Sequence, residues 1–338
     1  MELGMSLVML LGGIALLVVG GDLLVRGAVS LAERRGVPAL TIGLTIVAFG
    51  TSAPELALNL VVAFTGDTAL SFGNMVGSCL ANAGLILGVS AVLKPVKVQS
   101  SLLRRELPML LGASLLLITF MLVPGTFGLP GSRQGLSRLD GALLLAGFVI
   151  YLVVLLRAAR RPAEVGPSLG QGLEEEVASE PVLSTGKASG LVLGGLVLLA
   201  VGGKLTETGA VRVATLAGLS AQVIGLTVVS LATTLPELVT SIAAIRRGHS
   251  DLALGNVVGS NLFNLLFILG LVALVATVPL PLGGLSALVA LGLLTLLLFP
   301  LCVSFDWTIT RPEGALLVLV YVSIIGYQLW LSFTQPAM

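Results

Sequence analysis

Polar and apolar positions along this chain neither alternate nor keep to one helical face. The apolar residues come in continuous runs of about 20 or more, the length a helix needs to cross the hydrocarbon core of a bilayer. Ten runs are legible: roughly Met5–Leu31, Ala39–Phe64, Ala69–Leu93, Leu103–Leu122, Leu139–Leu156, Leu191–Leu216, Val223–Ile245, Leu252–Ala276, Leu285–Val303 and Ala315–Phe333. One sizeable polar break, 159–190, carries Arg160, Arg161 and the acidic run Glu174–Glu176 among Gly, Ser and Pro. It reads as a linker, too short to hold a regulatory domain, and its acidic run as a solvated loop.

The pattern also repeats. Ile42 to Leu56 reads I-G-L-T-I-V-A-F-G-T-S-A-P-E-L, and Ile224 to Leu238 reads I-G-L-T-V-V-S-L-A-T-T-L-P-E-L. A second echo follows each, G-N-M-V-G-S-C-L-A-N from Gly73 and G-N-V-V-G-S-N-L-F-N from Gly255. The offset is 182 throughout (237 − 55 and 270 − 88), and it also pairs Gly12-Gly13 with Gly194-Gly195 and Gly20-Gly21 with Gly202-Gly203. Two homologous halves are implied, 1–158 (motif 41–88) and 191–338 (motif 223–270), each with five spans. Five is odd, so the second half starts on the opposite side of the membrane, and the repeats have inverted topology. The expected fold is an all-α polytopic membrane protein of ten transmembrane helices in two inverted five-helix repeats, with helices 2 and 7 broken.

The breaks follow from proline. Pro54 lies mid-span, lacks an N–H and clashes with the carbonyl of Gly50; Pro236 does the same to Ala232. Broken helices are tolerated at membrane depth only where they are buried in protein or line a polar cavity. A carboxylate follows each break, Glu55 and Glu237, with Thr51 and Ser52 or Thr233 and Thr234 just before it. An acidic residue inside a span is costly unless it serves a site, and twin acids in twin repeats point to one shared cation site. Hydroxyls, loosened carbonyls and carboxylates are hard oxygen ligands suited to Ca²⁺, with Na⁺ as a substitute, and protons compete for the same oxygens. The second echo sets Asn74, Ser78 and Asn82 on one helical face, with Asn256, Ser260 and Asn264 as twins. Ser78, Asn82, Ser260 and Asn264 reach the depth of the glutamates. Gly73-x-x-x-Gly77 and Gly255-x-x-x-Gly259 favour close helix approach. A plainer reading of Ser52-x-x-Glu55 and Thr234-x-x-Glu237 is a capping box, and that geometry is expected to coexist with the site. Asp22 and Arg26 in the first span, and Lys204 and Glu207 in the sixth, read as structural ion pairs or snorkelling groups.

Composition agrees with the spans. The chain is 56% hydrophobic and 10% charged, with a mean hydropathy of +1.08, against about 25% charged residues in a soluble domain. A net charge of +1 gives no basic face for nucleic acid. Cys79 and Cys302 sit in apolar surroundings and imply no disulfide; His249, the single histidine, lies in a loop. No span carries a G-x-S-x-G or H-E-x-x-H motif, the one match to the first, Gly166–Gly170, falling in the polar linker, so an intramembrane enzyme is disfavoured and no cofactor is expected. The N-terminus has Glu2 and no basic flank, and reads as a first span rather than a cleaved signal. An N-terminus outside puts Arg34, Arg35, Lys94, Lys97, Arg104, Arg105, Arg157, Arg160, Arg161, Lys187, Arg246, Arg247 and Arg311 in the cytoplasm. Only Arg133 and Arg138 then lie in external loops. Both termini are therefore expected to be extracytoplasmic and the linker cytoplasmic, in a multi-pass protein of the cell membrane.

G-T-S-A-P-E-L and A-T-T-L-P-E-L, each followed by G-N-x-V-G-S, resemble the alpha repeats of the cation/calcium exchanger superfamily, in its prokaryotic sodium/calcium exchanger branch. The resemblance covers about Thr41–Gly88 and Val223–Gly270. It implies a core of spans 2, 3, 7 and 8, with spans 1 and 6 as a long pair that slides across it. Glu55 and Glu237 would be central ligands, aided by Thr51, Ser52, Thr233, Thr234, Ser78, Asn82, Ser260 and Asn264, with the carbonyls of Gly50 and Ala232 at the breaks. Potassium-dependent relatives carry Asp where this chain has Asn264, which argues against potassium. Proton-coupled ones have Gly-Asn before the Glu in place of Pro, which favours sodium. Cys79 and Ala81 depart from the N-L-F of the second repeat and are expected to point away from the site. The expected activity is antiport of Na⁺ against Ca²⁺ by alternating access, carried out by a monomer. Ca²⁺/H⁺ or Na⁺/H⁺ exchange by the same two glutamates is the nearest alternative, and a cation channel is a more distant one.

Overall fold

The computed structural model describes residues 2–66, 68–122, 135–159, 183–217, 230–281 and 283–334. Arg133, Arg160, Arg161, Glu174–Glu176 and residues 223–229 of the expected seventh span lie outside these residues. The helices, in order, are α1 (Glu2–Arg35), α2 (Ala39–Thr51), α3 (Ala53–Thr65), α4 (Thr68–Leu93), α5 (Leu102–Leu122) and α6 (Arg138–Ala159), then α7 (Thr185–Leu216), α8 (Ser230–Thr233), α9 (Leu235–Arg246), α10 (Ser250–Val275), α11 (Gly284–Trp307) and α12 (Arg311–Thr334). Eight are long and apolar enough to cross a membrane, and α2 with α3 makes a ninth, bent by 48°.

Local chemistry sets the bend. Ser52 leaves helical geometry at φ −85°, ψ 7°, and Pro54 sits in the first turn of α3. That proline has no N–H to return to Gly50, so the ladder of α2 ends there. Thr234, at φ −90° and ψ 0°, separates α8 from α9 in the same way, with Pro236 in the next turn. Within α4 and α10 the helix widens into π turns at Ala81–Ile86 and Phe263–Ile268. These two turns are related by the offset of 182, and such turns recur at functional positions.

Packing is governed by glycine. The 34 residues of α1 and the 32 of α7 give helices about 50 Å long at 1.5 Å per residue, more than a bilayer core requires. They lie against each other with almost nothing between their backbones. A Cβ at Gly13 would fall 2.7 Å from the carbonyl oxygen of Gly202, and one at Gly20 would fall 2.9 Å from that of Gly195. Gly13 is the twin of Gly195, and Gly20 that of Gly202, so these contacts exchange under the offset. Gly27 against Ala188 and Gly209 against Ser6, each at 2.7 Å, do likewise. Across the core, Gly255 meets Leu40 and Gly43 of α2, and Gly259 meets Leu44, as the G-x-x-x-G pattern leads one to expect. The segment that would stand opposite Gly73 and Gly77 by the same offset, 222–226, is outside the described residues.

At the rim, two short antiparallel pairs tie loops together: β1 (Val96–Lys97) with β4 (Thr308–Ile309), and β2 (Gly135–Leu136) with β3 (Val278–Pro279). Beside each pair a carboxylate caps the start of the next span. Asp140 accepts from the Ser137 N–H and hydroxyl at 2.8 and 2.7 Å, and Glu313 accepts from those of Thr310 at 2.8 and 2.7 Å. Three of the charges read as pairing or snorkelling groups form ion pairs, one of them with a change of partner. Lys204 joins Glu207 at 3.0 Å, whereas Asp22 pairs with Arg247, in the turn after α9, at 2.6 Å.

Candidate cation site

α4 and α10 are the most enclosed of the spans, and the polar residues of both echoes lie between them and the broken spans. Glu55 and Glu237 are buried and near enough for their charges to act on each other. The hydroxyl of Ser52 donates to Oε1 of Glu237 at 2.8 Å and also meets the hydroxyl of Ser260 at 3.1 Å. One break therefore reaches the carboxylate of the other half. Thr51 donates to Oδ1 of Asn256 at 3.1 Å, and that amide donates to the Glu237 carbonyl oxygen at 3.2 Å and to Ser241 at 3.0 Å.

The remaining candidates are also enclosed. Ser78 is buried and donates along its own helix to Asn74 at 3.4 Å. Thr234 is buried and donates to the Leu231 carbonyl oxygen at 3.0 Å, while Thr233 and Ala232 are buried at the second break. Gly50, whose carbonyl has lost its partner to Pro54, packs against Leu196 of α7. Asn82 and Asn264 are buried within the two π turns.

The expected capping boxes do not form. Neither Ser52 nor Thr234 takes a side-chain cap bond. The reason lies in the backbone: both residues have ψ near 0° rather than the extended value of a usual N-cap, and their hydroxyls turn to Glu237 and Leu231 instead.

What the site leaves unpaired is its most telling property. Both oxygens of Glu55, Oε2 of Glu237, Oδ1 of Asn82 and both polar atoms of Asn264 are buried with no hydrogen-bond partner among the described residues. Buried polar groups are normally satisfied, and an unsatisfied carboxylate oxygen costs more than most. A cation satisfies several such oxygens at once. No cluster of three or more His, Cys, Asp and Glu occurs among the described residues.

Three residues escaped the sequence reading. Asn59 is buried one turn beyond Glu55, donates to the Glu55 carbonyl oxygen at 2.7 Å, and keeps a buried Oδ1 without a partner. Its twin Ser241 accepts from Asn256. A polar residue four positions after each glutamate was the available signal. Asn261 is the third. It bonds Asn82 and the backbone of Cys79, its own twin, so position 79 belongs to the contact that holds Asn82.

Comparison with known proteins places the chain in a family. The family described as sodium/calcium exchanger protein matches residues 5–157 and 187–330. The sodium/calcium exchanger MaX1 of Methanosarcina acetivorans is 32% identical over 347 residues, covering 95% of this chain and 97% of its own length. The inner membrane protein YrbG of Escherichia coli is 35% identical over 268 residues, 79% of each chain. Among solved structures, the sodium-calcium exchanger NCX_Mj soaked with zero Na⁺ and Ca²⁺ superposes with a TM-score of 0.79 at 28% identity, covering 96% of this chain and 99% of that one.

Proposed function

Because the chain belongs to the sodium/calcium exchanger family, we propose that it is a secondary antiporter that exchanges Na⁺ for Ca²⁺ by alternating access. The observation that carries this is the pair of twin glutamates, one from each half, buried together with three of their four carboxylate oxygens unpartnered. Glu55 and Glu237 supply two negative charges, matched to one divalent ion. Thr51, Ser52, Thr233, Thr234, Ser78, Asn82, Ser260 and Asn264, with the carbonyls of Gly50 and Ala232, are the neutral oxygens that complete the coordination. Sodium ions occupy subsets of the same oxygens, so the two loads exclude each other and each leaves only when the other enters.

The architecture we assign is ten spans in two inverted five-helix repeats, 1–158 and 191–338, joined by a cytoplasmic linker at 159–190, with both termini outside the cell membrane. The exchanged glycine contacts of α1 and α7, the twin π turns and the paired rim strands support it. In that frame α1 and α7 are the moving pair, and α2–α4 with α8–α10 are the fixed core. The working unit is a monomer, since both glutamates come from one chain.

The test is calcium flux in proteoliposomes, with sodium, potassium and pH gradients imposed separately. An outward sodium gradient is expected to drive radiolabelled calcium in, and neither potassium nor a pH gradient to replace it. Glu55→Gln and Glu237→Gln are each expected to abolish the flux. Sodium-driven uptake surviving either change sinks the site assignment. Uptake driven by pH alone moves the chain to the proton-coupled alternative, which uses the same two carboxylates.

A further inference from the structure

The second echo differs between the halves at three buried positions, and at only one of them does the polarity change: Cys79 in α4 faces Asn261 in α10. The two are twins and meet where their helices cross. The side-chain Nδ2 of Asn261 donates to the carbonyl oxygen of Cys79 at 3.2 Å, and its Oδ1 accepts from Nδ2 of Asn82 at 2.9 Å. The thiol of Cys79 lies 3.8 Å from the backbone oxygen of Asn261 and closes the contact.

An amide can turn over and exchange its oxygen for its nitrogen, and the choice matters beside a cation. Here it is forced. The Cys79 carbonyl can only accept, so Asn261 must present Nδ2 to it. That leaves Oδ1 of Asn261 toward Asn82, so Asn82 must present Nδ2 in turn. The remaining atom of Asn82, Oδ1, is then buried and unpartnered, and the π turn that carries it packs against α9, the helix of Glu237. Reversing Asn82 would set oxygen against oxygen at Asn261 and aim an N–H₂ group at the cation. On the twin side the position of Asn261 is held by the thiol of Cys79, which lies beside Asn264 and is only a weak donor and acceptor, unlike the amide that Asn261 offers Asn82.

We propose that Asn261 is a positioning residue that locks the amide of Asn82 with its oxygen turned toward the transported cation. The inference rests on the exchange reading above. Groups that orient a metal ligand typically contribute ten- to a hundredfold to affinity, so Asn261→Leu is expected to raise the apparent KM for calcium roughly tenfold. Vmax should change far less, because the glutamates and the moving helices are untouched. Asn261→Ser, polar but too short to reach Asn82, should behave alike and carries the test should the leucine variant not fold.

A purely structural role predicts something else: lower thermal stability with KM unchanged. The decisive readout is therefore a double-mutant cycle in sodium-driven calcium uptake. Asn82→Ala removes the ligand that Asn261 orients, so Asn261→Leu or Asn261→Ser added to it should raise KM no further. Additive effects of the two changes, or a wild-type KM in both Asn261 variants, overturn the proposal. Wild-type protein that exchanges no calcium for sodium overturns the exchange reading instead, and the two failures are told apart by the wild-type control.

Discussion

Ser52 shows how one hydroxyl can belong to both halves at once. It stands at the break of α2, yet it bonds Glu237 and Ser260 of the other half. A hydrogen bond to an ionised group contributes about 1.5–3 kcal/mol, so Ser52→Ala is expected to weaken calcium binding by about tenfold or more, read as apparent KM in sodium-driven uptake. Ser52→Thr keeps the hydroxyl and should retain most of the affinity. At this scale the chain was legible where chemistry and repetition coincide. Glu55 and Glu237 stand out because an acid in a span is costly and because each has a twin. Asn261 and Asn59 were harder to find. Asn261 has a cysteine for a twin, so repetition hid it, and its task is to bond a neighbouring helix whose proximity no local pattern records. The failed capping box has a similar cause: the Ser-x-x-Glu spacing was present, but the proline break set ψ near 0°, and tertiary partners claimed the hydroxyl.

Helix pairs were legible through their glycines more than through their lengths. The apolar runs located the spans but gave no hint that α1 and α7 extend to 34 and 32 residues, since their ends are polar enough to pass for loops. The paired glycines make a sharp test, because neighbours in sequence face opposite ways. A Cβ at Gly12 or Gly194 would meet nothing within 4 Å, whereas one at Gly195 would lie 2.7 Å from the Gly20 carbonyl oxygen. Gly13→Ala and Gly195→Ala are therefore expected to destabilise by about 1–3 kcal/mol, the usual cost of overpacking. Gly12→Ala and Gly194→Ala should be neutral or stabilising by up to about 1 kcal/mol, through helix propensity alone. Thermal unfolding in detergent separates the two pairs. Equal loss in all four would mean that the close seam between α1 and α7 is not where these contacts put it. The π turns were invisible in the sequence: Ala81–Ile86 and Phe263–Ile268 share only an asparagine at their second position and an isoleucine at their last, which mark no such turn.

For the molecule as a whole, the ion pair between Asp22 and Arg247 joins the long α1–α7 pair to the core at the turn after α9, at 2.6 Å. Its twin positions, Lys204 and Thr65, cannot form such a pair, so the bridge exists on one side only. If α1 and α7 move across the core, a bridge between them stabilises whichever access state brings its partners together. Both side chains are partly exposed, and such pairs contribute up to about 1 kcal/mol, or a shift of about fivefold between two states. Asp22→Asn should favour the state in which the partners are apart. The apparent KM for calcium should then fall on one membrane face and rise on the other, each by less than about fivefold, in inside-out and right-side-out vesicles. Raising the salt concentration should mimic the substitution in the parent and do little in the variant, because salt screens exposed charges. A change of the same sign on both faces would mean that Asp22 acts on the cation site directly, and that α1 is not the element whose movement opens it.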